Sequence, residues 1–293
     1  MRVTGTDAAW TDLGDGIRVR QSRAFYMNSV LLLDPEHTVI VDPGVLPTEL
    51  DDLASVVDAA APDAITLFFT HGHWDHVLGR PWWPAAGTLA HDRLAAEVKR
   101  DREEIIRKAQ ALAIEHGERW AKPFVPFAPD TAVSGQHFLP LGPWRLVFRD
   151  APGHSGSQLT CHLTDLRVLI AADMLSDIEP PILDGPIPPY RETLETLLPL
   201  AEHGAIETLV PGHGAVAHGR DAVLARLRGD LAYLQALEDG VRAALARGQS
   251  LEAAREALAA MDYTGRRSTT YPTEAFHLGN IAFAYRSLTV ARR

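Results

Sequence analysis

One cysteine in 293 residues, Cys161, excludes an internal disulfide and any thiolate metal cluster built within the chain. It lies in the alternating run Gln158-Leu159-Thr160-Cys161-His162-Leu163, which reads as a strand and gives it the part of a small buried hydrophobe. No apolar run approaches the roughly 20 residues needed to cross a bilayer. The opening Met1-Arg2-Val3-Thr4-Gly5-Thr6-Asp7 lacks the apolar core of a secretory leader. Basic residues are in deficit, 28 against 38 acidic for a formal charge of −10, and they form no dense tract. Phosphate affinity comes mostly from Lys and Arg, so a nucleic-acid partner is not expected. Bound divalent cations would offset some of the acidity locally. Low-complexity linkers and short-period repeats are missing too. The expectation is a cytoplasmic protein acting on a small-molecule substrate without a membrane partner; a homodimer is compatible with it.

Nearly half of the residues are apolar, enough for a sizeable core, and 22 glycines with 20 prolines fit many loops joining short elements. Gly16 to Arg20 alternates. Ser29 to Leu33 and Thr38 to Val41, separated by the turn signal Asp34-Pro35-Glu36-His37, resemble a hairpin. Pro47 to about Ala60 reads as a helix, since proline suits a first turn. Ile65 to Phe69 is a buried-looking strand. One long polar helix is expected over Asp92 to His116, with Val98, Ile105, Ile106, Ala109, Leu112 and Ala113 on one face. It is read as a surface helix packed by one stripe, with a lid as the alternative.

Strands resume at Trp144 to Arg149, Gln158 to Leu163, Val168 to Ala171 and Thr208 to Val210, with a helix near Tyr190 to His203. From about Gly219 the chain turns helical: Leu224, Leu227, Leu231, Leu234, Leu237, Val241 and Leu245 recur at three- and four-residue steps until Gly248. A shorter helix follows from Ser250. The two halves echo each other loosely, with strands, then histidine-bearing loops, then helices. This favours one layered domain over residues 1–293, with its core at about 16–215 and a helical extension at about 216–293.

Five of the thirteen histidines stand at the exits of these strands. His71, His73 and His76, with Asp75, follow the strand ending at Phe69. His154 lies in Ala151-Pro152-Gly153-His154-Ser155, His213 in Val210-Pro211-Gly212-His213-Gly214, and Asp173 follows Val168 to Ala172. Strands of one sheet bring their exits to a common edge, so these residues can converge. Imidazole and carboxylate suit zinc, iron and manganese alike. A His-x-His pair in a loop can grip one ion, Asp75 and His76 can turn toward a second, and Asp173 has two oxygens with which to bridge both. Two ions roughly 3.5–4 Å apart can hold a hydroxide and polarise a carbonyl or phosphoryl oxygen. Gly72, Gly153, Gly212 and Gly214 permit the tight backbone around these ligands.

Thr70-His71-Gly72-His73-Trp74-Asp75-His76 resembles the His-x-His-x-Asp-His signature of the metallo-β-lactamase superfamily. Ala151 to Ser155, Ala171-Ala172-Asp173 and Val210 to Gly214 resemble its later motifs in the family's order, and Val41-Asp42-Pro43-Gly44 resembles its early structural aspartate motif. The resemblance covers about residues 16–215. It implies an α/β fold, an αββα sandwich with additional C-terminal helices. It also implies two divalent cations, zinc in the first instance with iron or manganese as alternatives. By analogy His71, His73 and His154 hold the first ion, Asp75, His76 and His213 the second, and Asp173 bridges. Asp75 would also orient the nucleophile or move its proton.

True β-lactamases typically lack an aspartate at the Asp173 position, and many carry a cysteine ligand. The set here is similar to that of glyoxalase II, acyl-homoserine lactonases and processing ribonucleases. Lactonases often place a tyrosine soon after the bridging aspartate, where this chain has Met174-Leu175-Ser176-Asp177. The expected activity is therefore a binuclear metal-dependent hydrolase whose bridging hydroxide attacks an ester, thioester or lactone carbonyl. A phosphodiesterase or nuclease, and a non-catalytic binding protein on the same scaffold, are the alternatives. Trp74, Trp82 and Trp83 are candidates to wall a substrate pocket, although packing explains them equally well. Glu179 is expected in solvent, and His277, in Tyr271 to Asn280, is expected in the core rather than the cleft.

Overall fold

The computed structural model describes residues 10–265 and 271–290. The chain forms two compact units that interleave in sequence. The first runs to Asp150 and adds Ser157–Leu163; the second takes Ala151–Gly156 and continues from Thr164.

In the first unit, strands β1 (Trp10–Gly14), β2 (Ile17–Gln21), β3 (Asn28–Leu32), β4 (His37–Val41), β5 (Ala64–Phe68), β6 (Gly87–His91) and β7 (Thr131–Val133) form a seven-stranded sheet in chain order. The expected hairpin is present, with Val30 opposite Val41. From β4 onward the pairing is parallel, which requires crossovers. Helix α1 (Pro47–Ala60) supplies the first, starting on the expected proline and burying Leu50, Leu53 and Val57.

The two-residue side-chain period sorts the sheet. Leu31, Ile40 and Leu67 pack with the α1 residues in one apolar cluster. Phe68, on the opposite face, meets Phe148 edge to face, with centroids 4.9 Å apart. Phe148 belongs to an antiparallel ladder of β8 (Gln136–Leu141), β9 (Trp144–Asp150) and β10 (Leu159–Leu163). The first unit is thus layered helix, sheet, sheet.

The single helix expected over Asp92 to His116 is two, α2 (Leu94–Arg100) and α3 (Arg102–Glu115). Val98 and Ile105 are one heptad apart and both buried, so the apolar stripe runs through the break without marking it. Asp101 makes the interruption. Aspartate is a poor helix-interior residue, and here its carboxylate is held by the Arg100 guanidinium at 2.8 and 2.6 Å.

In the second unit, β11 (Val168–Ile170) pairs parallel with β12 (Thr208–Val210), and β13 (Ala217–His218) pairs antiparallel with β12. Helix α4 (Ile187–Glu202) makes the crossover, beginning a turn earlier than Tyr190 because Pro188 and Pro189 fit a first turn whose N–H groups have no helical partner. Helix α5 (Arg220–Ala246) spans about 40 Å at 1.5 Å per residue. Its Leu224, Leu227, Leu234, Leu237 and Val241 share a core with Leu169, Leu209, Leu194 and Leu197. Gly248 ends it at φ +67°, and Ser250 caps α6 (Leu251–Leu258) by accepting from the Ala253 N–H at 3.2 Å. Helix α7 (Thr273–Val290) adds Ile281 and Ala284 to the core. Among the described residues, no helix is long and apolar enough to cross a membrane.

The one-sided stripe of α3 is checked by two truncations. Leu112 is 5% exposed and Ile114 is 74% exposed. Leu112→Ala is expected to lower unfolding stability by about 2–5 kcal/mol and Ile114→Ala to change it by less than about 0.5 kcal/mol, read by chemical denaturation.

Candidate metal centre

In the first unit the donors follow from the parallel pairing of β4 and β5. Val41 lies opposite Phe68, so the chain leaves both strands at one edge. Asp42, the first residue beyond β4, takes the left-handed conformation at φ +44°. That costs energy for a non-glycine residue and has to be over-determined by its surroundings. Here its N–H donates to the Phe68 carbonyl at 3.0 Å. Its Oδ1 accepts from the Thr70 N–H at 2.8 Å, and its Oδ2 accepts from the Thr70 hydroxyl at 2.6 Å and from His76 Nδ1 at 2.9 Å.

These bonds set proton positions. A carboxylate only accepts, so His76 carries its proton on Nδ1. The single Thr70 hydroxyl proton is committed to Asp42, so the Thr70 oxygen accepts from His71 Nδ1, 3.0 Å away. In this arrangement each ring commits Nδ1, and Nε2 is the nitrogen a metal ion would take. The rings of His71, His73 and His76 lie together, with centroids 4.6 Å apart for His71 and His73 and 4.2 Å for His71 and His76. Asp75 Oδ1 is 4.0 Å from His76 Nε2. The loop is fastened from β10 and its approach. Ser157 Oγ accepts from the Gly72 N–H at 3.1 Å and donates to Glu97, whose carboxyl is raised chiefly by burial. The Leu159 N–H donates to the Thr70 carbonyl at 2.8 Å.

In the second unit β11 and β12 end in register, Ile170 beside Val210, and Asp173 and His213 follow those ends. His154 Nε2 is 3.2 Å from Asp173 Oδ2, and His213 Nε2 is 3.5 Å from the same oxygen. Two donors on one tetrahedral ion at 2.0–2.1 Å are about 3.3 Å apart, so this spacing fits shared cation ligands. His154 Nδ1 donates to the Ile182 carbonyl at 3.2 Å, so Nε2 is the nitrogen turned toward Asp173. Two glycines admit this geometry. A Cβ on Gly212 would overlap the Asp173 carboxylate, and Gly153, at φ +135°, lies against Tyr190 with no room for a side chain. The donor chemistry of both units suits divalent zinc, iron or manganese.

Glu179 is the clearest departure from expectation. It is 3% exposed instead of solvated, because the chain at Pro180-Pro181 carries it inward. Burial raises its carboxyl to about 7, against the pull of His213 and reinforced by Asp173, and its side chain hydrogen-bonds Tyr271. The Tyr271 ring stands 6.4 Å from that of His213. An acid followed by two prolines was the available signal, but it reads equally well as an exposed turn.

Helix α5 contributes a second group that periodicity alone hides. Asp230 lies on the apolar stripe, 2% exposed, and accepts from the Leu175 N–H at 3.1 Å, while Arg226 donates to the Leu175 carbonyl at 3.0 Å. They brace the loop beyond Asp173, where Leu175 sits at φ +62°.

The remaining candidates fall into place. Trp83 is buried in the first unit's core, Trp82 donates to Asp51 at 2.7 Å, and Trp74 meets Phe25 edge to face at 5.9 Å. His277 is fully buried between Tyr233 and the Leu258 carbonyl, as expected of a core histidine. Cys161 is buried and its thiol pKa is pushed far up by desolvation, which removes it as a nucleophile.

A family model of the metallo-β-lactamase superfamily matches residues 23–213. The chain is 26% identical over 245 residues to the acyl-coenzyme A thioesterase MBLAC2 of Bos taurus, covering 70% of this chain and 80% of that protein. The Homo sapiens MBLAC2 is likewise 26% identical, over 246 residues and with the same coverage of 70% and 80%. A metallo-β-lactamase family protein of Thermus thermophilus superposes with a TM-score of 0.64 at 19% identity, covering 94% of this chain and 95% of its own. The sec-alkylsulfatase Pisa1 of Pseudomonas sp. superposes with a TM-score of 0.67 at 13% identity over 95% of this chain, which spans 50% of that enzyme. At such identities these structures speak to the fold.

Two outcomes are expected. Asp42→Asn keeps one acceptor but loses the carboxylate that fixes His76, so metal affinity in chelator competition should fall about 10–100-fold. Asp230 is raised from 3.8 to about 8, mainly by burial. Its folded value lies above its unfolded one, so the stability it contributes is full below about pH 4 and is lost as pH rises through about 8. The stability difference between the metal-free protein and Asp230→Asn should therefore shrink across that window; a difference independent of pH would show an ordinary carboxylate.

Proposed function

The chain belongs to the metallo-β-lactamase superfamily and is a metal-dependent hydrolase, and on that premise we propose that it cleaves thioester carbonyls at a binuclear centre. In this reading His71, His73 and His154 hold one ion, Asp75, His76 and His213 hold the other, and Asp173 serves both. The observation that carries it is Asp173, whose single Oδ2 faces the Nε2 atoms of both His154 and His213 at ligand spacing. The Nδ1 hydrogen bonds of His71 and His76 and the family order of the motifs support it. Zinc is the proposed ion, and the same donors accept iron and manganese.

When bound, the cations supply a water acidified to about pKa 7 and a Lewis acid for the carbonyl oxygen. The chain's own residues orient and insulate that chemistry. Asp42 and Thr70 fix two imidazoles, and Asp75 would orient the attacking water or take up its proton. Glu179 is buried beside Asp173, and that burial raises its carboxyl and so opposes a second negative charge there. Thioesters are favoured among carbonyl substrates by the MBLAC2 relatives and by leaving-group chemistry. A thiol of pKa about 8.5 departs readily as thiolate, so the reaction asks for no strong general acid. The substrate in this reading is a small acyl thioester. A cytoplasmic site of action accords with a chain that carries one cysteine.

The test is metal analysis coupled to a panel of thioesters, esters, lactones and phosphodiesters. The metal-loaded protein should turn over thioesters with the highest kcat/KM, and His71→Ala or Asp173→Ala should lower metal content and reduce that value about 10³-fold or more. Phosphodiester turnover without thioester turnover would sink the substrate class. Retained metal and rate in both variants would sink the ligand roles.

A further inference from the structure

Resting on that ligand assignment, we infer that Asn280 of helix α7 is a positioning residue for His154, acting through the backbone of Pro181 to Leu183. Helix α7 lies beyond the residues 23–213 matched by the family model. Asn280 is 2% exposed. Its Oδ1 accepts from the Leu183 N–H at 2.9 Å, and its Nδ2 donates to the Pro181 carbonyl at 2.7 Å and to the Tyr233 hydroxyl oxygen at 2.8 Å. Between the two backbone contacts lies Ile182, whose carbonyl accepts from His154 Nδ1. The amide side chain thus clips the segment on both sides of the one carbonyl that sets the ring of a ligand.

Each direction in this chain of bonds is determined. A backbone N–H only donates and a carbonyl only accepts, so the Asn280 amide has one orientation. His277 Nε2 faces the Leu258 carbonyl at 2.9 Å and therefore carries the proton, which leaves Nδ1 to accept from Tyr233 at 3.0 Å. Tyr233 accordingly accepts from Asn280 and donates to His277. A relay of uniform direction runs from Asn280 to the end of α6, and such chains reinforce their members. Asparagine is the residue that offers an acceptor and two donors in one plane at this length. Aspartate lacks the donors, and an apolar residue would release the segment.

The test uses the full chain and zinc as the probe, with affinity read by chelator competition and ligand geometry by the visible spectrum of the cobalt(II)-loaded protein. Asn280→Ala should weaken zinc binding about 10–100-fold, as loss of a partner that orients a ligand does, and should shift the cobalt bands. Asn280→Asp keeps only the acceptor toward Leu183 and should also lose affinity. Tyr233→Phe frees the amide at one side and should lose a few-fold. Ala284→Gly weakens the same helix away from this network and should leave zinc affinity unchanged. If Asn280→Ala does not fold, Asn280→Asp and Tyr233→Phe carry the comparison.

Wild-type affinity and spectrum in all the Asn280 and Tyr233 variants that fold would overturn the inference. So would an equal loss of affinity in Ala284→Gly. Failure of the wild-type protein to take up zinc, iron(II) or manganese(II) would overturn the ligand assignment and this inference with it. Tight wild-type binding with indifferent variants would remove this inference alone.

Discussion

An imidazole binds a cation through one lone pair, so its other nitrogen has to be committed elsewhere, and the polar architecture around the motifs follows from that demand. His76 is committed to Asp42, His71 to Thr70 and His154 to the Ile182 carbonyl. Each partner is itself held in place. Asp42 is held at a strained dihedral by β5, Thr70 is pinned between Asp42 and Leu159, and Ile182 is bracketed by Asn280. A ligand group that can neither rotate nor change tautomer is preorganised, so cation binding spends little free energy on ordering side chains. In the second unit Glu179 lies close to Asp173, and burial raises its carboxyl there.

The candidate site could be proposed from the sequence because its signal is chemical and local. The His-x-His-x-Asp-His run and the two Pro-Gly-His triplets stand directly after apolar runs of strand length, so residue type, spacing and strand exit agreed. The strands β3, β4, β5, β9, β10, β11 and β12 and the helices α1, α4 and α5 were legible within a few residues for the same reason, since periods of 2 and 3.6 survive in the apolar pattern.

What stayed hidden was set by packing. The break at Asp101 leaves the apolar stripe intact, so nothing in the period betrays it. The edge strands β1, β7 and β8 carry exposed polar faces with little pattern to detect. Glu179 and Asp230 were invisible as buried acids because a lone carboxylate in a sequence reads as surface. Ile182 contributes only a backbone carbonyl, which no residue type announces.

The C-terminal helices gain a role from this. Their leucine stripe reads as packing, and packing it is, but polar residues are set into the buried faces of α5 and α7 at the points where they meet the loops that carry the candidate ligands. Asp230 and Arg226 take the N–H and the carbonyl of Leu175, two residues beyond Asp173, and Asn280 takes those that flank Ile182. A loop that must carry a ligand cannot hydrogen-bond within a sheet at the same position, so its backbone groups need partners from another element. Burying a carboxyl or an amide on an apolar helix face is costly unless such a group answers it. The two needs meet, and in the proposed reading the helices tie the second unit's core to the loops that carry its candidate ligands.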